Sequence, residues 1–524
     1  MSQPTFEQRI KALDLHSPAL LLKASQIGIE KESLRVSPAG EISQHNHPQA
    51  LGAALTHPSI TTDYSEALLE LITQPHQSIT AVLTELDDLH RWVYANLGDE
   101  LLWSTSMPCL LKGENSVRIA EYGRSNAGMM KHVYRRGLGY RYGKMMQVIS
   151  GVHFNYSLPD TFWSAYHEIE GTKESLIRFR SEGYMSMLRN LQRIGWMVPY
   201  LFGASPAVCE SFLDGQPTTL EYFGQHTYYE SFATSLRLGD IGYQNKQEGK
   251  TGVNINYNHL NSYIASLENA TETPCPEYAK IGVFVDGAYR QLNHHQLQIE
   301  NEYYSSARPK AVTGKLQKPV RALEEKGIEY IELRSVDVNA FDPHGISASQ
   351  MHFLEPFMIY ALLSPSPIFS HKEFEMIDDN LSLVAHCGRD PKLSLSHPEG
   401  KIKLRDWADK ILTEMQPICD WLDQNETETP YHDALQKQCK KVINPSLIPS
   451  TRMIETMAEN KESFFEFAMR AAQNTAHHFQ QRPLPKEKQI EFSHLTEASL
   501  ASAKQAEASD TVAFDQFLED YFAQ

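Results

Sequence analysis

Residues 147–157 alternate between two sets of side chains at every second position. Successive side chains of an extended strand point to opposite faces, so this alternation predicts a strand with two chemically different faces. One set is Gln147, Ile149, Gly151, His153, Asn155 and Ser157, and the other is Val148, Val152, Phe154 and Tyr156. Solvent exposure is the ordinary explanation of a polar strand face. A ligand-binding face is the alternative, and the carboxylates of other strand-like segments favour it.

The remaining pattern mixes strands and helices. Further strands are predicted at 28–36, 68–73, 252–256, 281–285, 297–304 and 327–334. The turn signal at 37–40 predicts that the first of these leads into a hairpin. Ser78 precedes an amphipathic pattern that ends before Gly98, which predicts a capped helix. Other helices are expected near 176–200, 350–365, 404–424 and 451–480, with one or two more after residue 481. The order predicts an α+β protein with a mainly antiparallel sheet and a helical C-terminal part.

Composition excludes several classes of protein. The formal net charge of −17 argues against non-specific binding to nucleic acid or to anionic membranes, which requires clustered Lys and Arg. We find no run of ~18 uncharged apolar residues and no signal-peptide pattern, so we expect neither a membrane span nor export. The six dispersed cysteines form no metal-ligand spacing. They are typical of reduced thiols in a cytoplasmic protein.

Carboxylates recur with strand spacing. Glu30 and Glu32 lie two residues apart, so a strand would place both on one face about 6–7 Å apart. Glu332 and Arg334 repeat this spacing with opposite charges. Solvent exposure is the ordinary explanation of Glu30 and Glu32, and an exposed ion pair is the ordinary explanation of Glu332 and Arg334. Glu70, however, interrupts an apolar run, where a carboxylate usually needs a partner charge or a metal.

Oxygen ligands of this kind suit Mg²⁺ or Mn²⁺. Asp63 adds a further candidate oxygen ligand, and His153 adds one imidazole. Such ions commonly bridge carboxylates to nucleotide phosphates, so the residues indicate metal-dependent phosphoryl transfer. The usual glycine-rich phosphate loops are missing, because residues 137–145 have the wrong glycine spacing and Met145 replaces the metal-binding Ser/Thr. We therefore expect metals and side chains, rather than such a loop, to bind ATP.

Several longer motifs resemble the proteobacterial glutamate–cysteine ligase (γ-glutamylcysteine synthetase) family. They occupy residues 28–35, 47–58, 60–70, 199–206, 234–238, 297–304, 308–310 and 327–339. The resemblance implies a glutamine-synthetase-like catalytic region over 1–370, with a curved, funnel-like antiparallel sheet and surrounding helices. A mainly helical region over 371–524 would pack on it. A fused glutathione synthetase module would need a far longer chain.

The resemblance also implies a reaction. The family uses ATP and Mg²⁺, with Mn²⁺ as a substitute, to join the γ-carboxylate of L-glutamate to the amino group of L-cysteine through γ-glutamyl phosphate. This is the first step of glutathione synthesis. We accordingly expect small-molecule substrates, feedback inhibition by glutathione and a cytoplasmic monomer.

The family pattern implies roles for individual residues. The metal ligands would be Glu30, Glu32, Asp63, Glu70, His153 and Glu332. Arg334 would approach the transferred phosphoryl group, and Arg135 and Arg237 would bind substrate carboxylates or phosphate. The cysteine-side residues would be Tyr134, Tyr243 and Tyr304, and Asn301 would orient substrate or nucleotide. A cysteine pair of some relatives is incomplete, since Cys109 has no counterpart after Trp163. We therefore expect no disulfide there.

Two alternatives remain open at this stage. A related ligase could activate glutamate in the same way but accept ammonia or another amine. A catalytically silent descendant could retain the carboxylates and act as a binding or regulatory protein. The residues that bind the second substrate, Tyr134, Tyr243 and Tyr304, would differ in a ligase with another acceptor. A catalytically silent protein would show no turnover of ATP.

Overall fold

The predicted polar strand lies at the centre of an open antiparallel sheet. The computed structural model describes residues 4–242 and 252–524. Within these residues the main sheet has seven strands, in the order β11-β12-β5-β1-β3-β2 with β4 paired to β1. The strands of the chain are β1 Gln26–Val36, β2 Ile60–Thr62, β3 Leu68–Ile72, β4 Leu101–Leu102, β5 Gly151–Ser157, β6 Ala207–Cys209, β7 Glu221–Gly224, β8 Thr227–Tyr229, β9 Phe284–Val285, β10 Ala288–Tyr289, β11 Ala307–Lys310, β12 Tyr330–Asp337, β13 Ser394–His397 and β14 Gly400–Lys403.

Helices surround this sheet and dominate the second half of the chain. Those of the first part are α1 Phe6–Asp14, α2 Pro18–Leu22, α3 Ile79–Asn96, α4 Asn126–Tyr142, α5 Asp160–Glu170, α6 Leu176–Ile194, α7 Met197–Phe202, α8 Glu210–Leu213, α9 Leu260–Glu272, α10 Pro276–Ala279, α11 Pro319–Lys326 and α12 Ala348–Leu363. Those that follow are α13 His371–Cys387, α14 Leu404–Glu414, α15 Gln416–Asp423, α16 Pro430–Ile443, α17 Pro449–Asn460, α18 Phe464–Gln480, α19 Lys486–Ser509 and α20 Phe514–Phe522. The α+β class and the helical C-terminal part are confirmed.

The two faces of the central strands have different environments. Val152, Phe154 and Tyr156 of β5 are fully buried in the main hydrophobic core. Side chains beyond residue 370, such as Val384, Leu412 and Phe479, belong to the same core. The boundary near residue 370 and the funnel-like curvature of the sheet stay predictions. Among the described residues, we find no helix long and apolar enough to cross a bilayer.

Local predictions succeed where a helix is capped or a strand has a partner. Ser78 caps α3 by accepting a hydrogen bond from the Ala81 N–H. The strand predicted at 28–36 is β1, and its hairpin turn closes through a hydrogen bond from the Ser37 N–H to the Glu41 carbonyl of 2.9 Å. The strands predicted at 68–73 and 327–334 are β3 and β12, the latter shifted by three residues.

Four strand predictions are wrong in whole or in part. Residues 147–150 precede β5, because Met146–Val148 forms a 3₁₀ turn closed by the Ile149 N–H on the Met146 carbonyl. Residues 297–304 contain the 3₁₀ turn Glu300–Glu302, since the Glu302 carboxylate binds the Gln298 N–H and the Arg141 guanidinium and folds the segment back. Residues 252–256 pair with no strand among the described residues, although their apolar side chains reach the core. The segment at 281–285 contributes only the two-residue β9.

Candidate active site

Strand register brings Glu30 of β1 opposite His153 of β5. The two residues pair directly in the antiparallel ladder, and their side chains leave the same face. The Nδ1 atom of His153 lies 2.9 Å from Glu30 Oε2. Asn155, two residues further along β5, donates a hydrogen bond of 2.9 Å to Glu30 Oε1. The alternating polar face predicted from sequence therefore holds a carboxylate against an imidazole.

Glu332 of β12 completes a group of three donors. It pairs with Asn155 in the ladder between β12 and β5. Its Oε1 atom lies 3.8 Å from His153 Nδ1. One ligand atom from each of Glu30, His153 and Glu332 lies within 4.8 Å of the others. Two carboxylate oxygens and one imidazole nitrogen at this separation can hold one divalent cation.

Two further carboxylates face each other across β1 and β3. Glu32 and Glu70 are direct partners in that ladder. The Gly151 N–H donates a hydrogen bond of 2.6 Å to Glu32 Oε2, which ties β1 to the start of β5. Asp63 follows β2, and its side chain lines the same cavity as the other five predicted metal ligands. The structure thus brings all six together.

The carboxylates near β3 carry poorly compensated negative charge. Burial raises the pKa of Glu70 well above its usual range, and the charges of Glu30 and Asp63 add to the effect. Burial likewise raises the pKa of Glu32, against the opposing influence of His153. Like charges held this close in a buried site favour either protonation or a bound cation.

Glu332 has the opposite electrostatic environment. Its Oε1 atom lies 3.3 Å from Lys310 Nζ, and its Oε2 atom lies 3.1 Å from Arg334 Nη1. Although burial acts to raise it, the pKa of Glu332 is held well below its usual range by these two cations. Burial and Glu332 act to raise the pKa of Glu30, but the hydrogen bond and charge of His153 outweigh them and lower it.

The guanidinium of Arg237 packs closely against Gly151 at the site. Its Nη2 donates a hydrogen bond of 2.8 Å to the Arg334 carbonyl, and its Nη1 lies 3.5 Å from Asp337 Oδ1. A Cβ atom at Gly151 would lie 2.1 Å from Arg237 Nη2, so the absence of a side chain there permits the approach. Arg237 is 2% exposed, and within the described structure its Nε has no hydrogen-bond partner. Its remaining donor capacity suits an anionic ligand.

Arg135 lines the cavity from helix α4 and lies beside Asp63. Its Nε donates to the Asp63 carbonyl, and its Nη1 donates to the Lys131 carbonyl at 3.1 Å. The guanidinium also lies over the Tyr122 ring, 4.7 Å from the centroid. Burial acts to lower the pKa of Arg135, but the hydroxyl of Tyr122 and the carboxylate of Asp63 raise it overall. These contacts fix a permanent cation close to Asp63.

The candidate metal ligands and arginines line one cavity of about 1070 Å³. Its lining includes the six predicted metal ligands, the three predicted arginines, and Tyr134, Tyr304 and Asn301. Tyr243 lies outside the residues that the structure describes. The volume is slightly above the range of about 300–1,000 Å³ that small-molecule sites usually have. It is large enough for a nucleotide together with small substrates.

Sequence reasoning missed several residues of the lining. Arg308 and Lys310 alternate on β11 and face the site with Glu332. Strand periodicity could have placed the two on one face of a strand, but not beside Glu332. Lys131 precedes Arg135 by one turn of α4 and lines the same cavity. A group from α19 and α20 also lines the cavity, namely Ser502, Gln505, Ala506, Ser509 and Tyr521. No local motif distinguishes this last group.

Comparison with known proteins gives a consistent assignment. The glutamate–cysteine ligase family model matches residues 10–384. The chain belongs to the glutamate–cysteine ligase family. It is 44% identical over 523 residues to the glutamate–cysteine ligase of Alcanivorax borkumensis, covering 98% of this chain and 99% of that protein. It is 43% identical to the enzyme of Pseudomonas putida, with 98% of each chain covered. The resemblance inferred from sequence motifs is confirmed.

Two solved structures share the fold. The crystal structure of the glutamate–cysteine ligase from Francisella tularensis in complex with AMP superposes with a TM-score of 0.89 at 34% identity. The match covers 95% of this chain and 97% of that one. A bifunctional glutathione synthetase from Pasteurella multocida matches with a TM-score of 0.73 at 24% identity, over 93% of this chain but 58% of that one. The second likeness concerns the fold alone.

Proposed function

We propose that this protein catalyses the ATP-dependent ligation of the L-glutamate γ-carboxylate to the amino group of L-cysteine, giving γ-glutamylcysteine, ADP and phosphate. This is the first step of glutathione synthesis. The proposal rests on one observation: Glu30, His153 and Glu332 line the same cavity as the three predicted arginines, in a chain of the glutamate–cysteine ligase family. The AMP bound by the Francisella relative supports a nucleotide as one ligand of that cavity.

The donor set fits Mg²⁺, with Mn²⁺ as a substitute. Glu30, His153 and Glu332 would hold one ion, and the remaining carboxylates of the cavity would serve further ions: Glu32, Asp63 and Glu70. Hard oxygen donors predominate in both groups, as magnesium requires. When bound, the metal supplies charge neutralisation at the β- and γ-phosphates. The raised pKa of Glu70, caused by burial and by neighbouring carboxylates, supports a cation beside it.

The first chemical step transfers a phosphoryl group. A γ-carboxylate oxygen of glutamate attacks the γ-phosphorus of ATP. The bond from this phosphorus to the β-γ bridging oxygen breaks, ADP leaves, and γ-glutamyl phosphate is formed. Arg334 is held by Glu332 at 3.1 Å, so its guanidinium is oriented before substrate arrives. Such a fork of N–H donors matches phosphoryl oxygens and stabilises their developing charge. Arg237, with its unused donor, binds a second anionic group.

The second step forms the amide. The neutral amino group of cysteine attacks the acyl carbon of γ-glutamyl phosphate, phosphate leaves, and the amine releases its proton. An acyl phosphate is also attacked by water, so the cavity walls must exclude solvent during this step. Arg135, Tyr134, Tyr304 and Asn301 lie at this cavity and bind the amino-acid substrates in our proposal. Tyr243 is proposed as a further cysteine-side residue.

Turnover with and without cysteine tests the proposal. Purified protein is incubated with glutamate, ATP and Mg²⁺, and ADP release and product mass are measured. Cysteine-dependent ADP release with γ-glutamylcysteine as product is the expected result. In a parallel assay ammonia replaces cysteine. ADP release that depends on ammonia identifies a ligase with a different acceptor, and no ADP release with either amine identifies a non-catalytic protein. Glu30→Gln serves as the inactive control for contaminating ATPase.

The remaining proposals concern the protein as a whole. We propose a cytoplasmic monomer that glutathione inhibits, because glutathione contains the γ-glutamylcysteine unit that the cavity must release. Sedimentation of the purified protein tests the oligomeric state. Inhibition that is competitive with glutamate tests the shared pocket.

A further inference from the structure

One wall of the active-site cavity comes from the far end of the chain. Residues 499–524, which we name the strap, comprise the end of α19, a short connection and α20. Four strap residues from α19 line the cavity: Ser502, Gln505, Ala506 and Ser509. Tyr521 of α20 lines it as well, and it is 8% exposed. The strap thus faces substrate space with small or uncharged side chains.

The strap is anchored at the start of helix α4. The Asn126 N–H, in the first turn of α4, donates a hydrogen bond of 2.6 Å to Asp510 Oδ2. Asn126 Nδ2 donates to the Val512 carbonyl at 3.0 Å. The Arg124 N–H donates to Glu507 Oε1 at 2.8 Å. Two carboxylates therefore satisfy backbone donors at a helix N-terminus, where the helix dipole favours negative charge.

The strap is also anchored at both of its ends. At its start, the Ala53 N–H donates to Ser499 Oγ at 3.0 Å, and Thr56 Oγ1 donates to the Ser499 carbonyl at 2.6 Å. At its other end, Lys318 Nζ donates to the Phe522 carbonyl at 3.0 Å, and Arg321 Nε donates to the Gln524 carbonyl at 2.8 Å. Between these points Tyr289 bonds to Asp515. The strap therefore crosses from the segment at 53–56 to the segment at 318–321.

We propose that the strap is a substrate-enclosing wall and that Asp510 is a positioning residue for the reaction. The inference rests on the proposed ligase function. Asp510 fixes the N-terminus of α4, and α4 carries Lys131, Tyr134 and Arg135 on its cavity side. A helix start that is released from its carboxylate partner shifts these side chains relative to the sheet. Small displacements of positioning groups reduce binding and catalysis strongly.

The first experiment places a bulky side chain on the cavity side of the strap. Ser502→Trp places an indole at a lining position, and the matched control Ala501→Trp places one on the neighbouring exposed residue, which is not part of the lining. Both sites are exposed on the same helix, so neither substitution disturbs the core. We expect Ser502→Trp to raise the KM of at least one substrate about ten-fold or more. The KM values of Ala501→Trp should equal those of the wild type. Equal KM values in the two variants and the wild type would contradict the proposal that the strap encloses the substrates.

The second experiment releases α4. Asp510→Ala removes the acceptor for the Asn126 N–H, whereas Asp510→Asn retains an oxygen acceptor. The control Glu497→Ala removes an exposed carboxylate of α19 outside the strap. A misplacement of positioning groups by about 1 Å can cost up to about 100-fold, so we take roughly ten-fold or more as the expected loss of affinity. We expect Asp510→Ala to raise the KM for glutamate or cysteine by about that factor, with kcat within about two-fold. Asp510→Asn should restore most of the affinity.

Two results overturn the positioning role. One is an unchanged KM for every substrate in Asp510→Ala. The other is a fall in kcat that Asp510→Asn shares and that follows a lower unfolding temperature, which indicates general loss of structure. Failure of the ligase proposal is separate, because it shows already in the wild type as an absence of cysteine-dependent product. A wild type that turns over while all strap variants match it refutes the strap alone.

Discussion

Glu30 and His153 lie directly opposite each other on adjacent antiparallel strands, with Glu30 Oε2 2.9 Å from His153 Nδ1. The ladder fixes this pair, since a slip of one residue in either strand would send one side chain into the core. Glu332, on the other neighbour of β5, approaches the same imidazole to 3.8 Å. The candidate metal site is therefore a property of sheet register rather than of any loop.

Glu70→Gln should abolish most activity and leave the fold intact. The substitution keeps the shape of the side chain but removes a charge that burial and neighbouring carboxylates already disfavour. We expect kcat/KM to fall by more than about 100-fold, while the unfolding temperature stays equal or rises because like-charge repulsion is relieved. Steady-state kinetics and thermal unfolding measure the two effects. Activity close to that of the wild type would contradict the assignment of Glu70.

Gly151→Ala should displace Arg237. The added Cβ would lie 2.1 Å from Arg237 Nη2, a distance that real contacts do not allow. The matched control is Gly28→Ala on β1, whose Cβ would meet its nearest neighbour, Asn155 Cβ, at an ordinary 3.7 Å. We expect a KM increase of about ten-fold or more for an anionic substrate in the first variant only. Equal kinetics in the two variants would remove Arg237 from the anion-binding set.

Phe154→Ala should act through the core, although its neighbours in sequence face the active site. Phe154 is 0% exposed on the apolar face of β5. The expected loss is about 3–5 kcal/mol in the free energy of unfolding, as for other buried aromatic truncations. The control is Phe284→Ala, at a side chain that is 60% exposed. It should change the free energy of unfolding by less than about 0.5 kcal/mol. Urea unfolding measures both, and similar losses in the two variants would contradict the two-faced strand.

The buried carboxyl of Glu355 should make stability fall as pH rises. Burial raises its pKa from 4.5 to about 7, although it accepts a hydrogen bond of 2.6 Å from Tyr431 Oη. The folded state therefore holds a proton that the unfolded chain releases, so this contribution is complete below pH 4.5 and is lost as pH rises through about 7. The loss amounts to about 3 kcal/mol.

Glu355→Gln removes this titration. Urea unfolding of wild type and variant from pH 4 to 8 gives the difference in stability at each pH, which cancels the contributions of other groups. We expect that difference to shift in favour of Glu355→Gln as pH rises. A difference that does not change with pH would contradict the raised pKa of Glu355.

The sequence revealed the parts of the site that follow strand periodicity. Glu30 and Glu32 could be placed on one face of their strand, and His153 on the polar face of its own strand, because alternation with apolar residues is a local property. Residues 297–304 alternate in the same way, but Arg141 binds the Glu302 carboxylate at 2.8 Å, and this long-range contact bends the segment into a turn. Local periodicity carries no information about such a partner.

Contributions from distant segments escaped prediction for the same reason. Ser502 and Ser509 reach the cavity only because Asp510 and Ser499 dock on segments more than 350 residues earlier in the chain. Arg308 and Lys310 belonged to a recognised motif, yet their approach to Glu332 depends on the pairing of β11 with β12. Tertiary contacts of this kind require the folded structure.

Metal binding tests the central claim most directly. Isothermal titration of the purified full-length protein with Mn²⁺ and with Mg²⁺ compares the wild type with the double variant Glu30→Gln/Glu332→Gln and with Glu497→Gln, an exposed control on α19. We expect the wild type and control to bind alike, and the double variant to lose more than about 100-fold in affinity, since even outer partners of metal ligands contribute 10–100-fold. Equal affinities in all three proteins would contradict a metal centre at Glu30, His153 and Glu332.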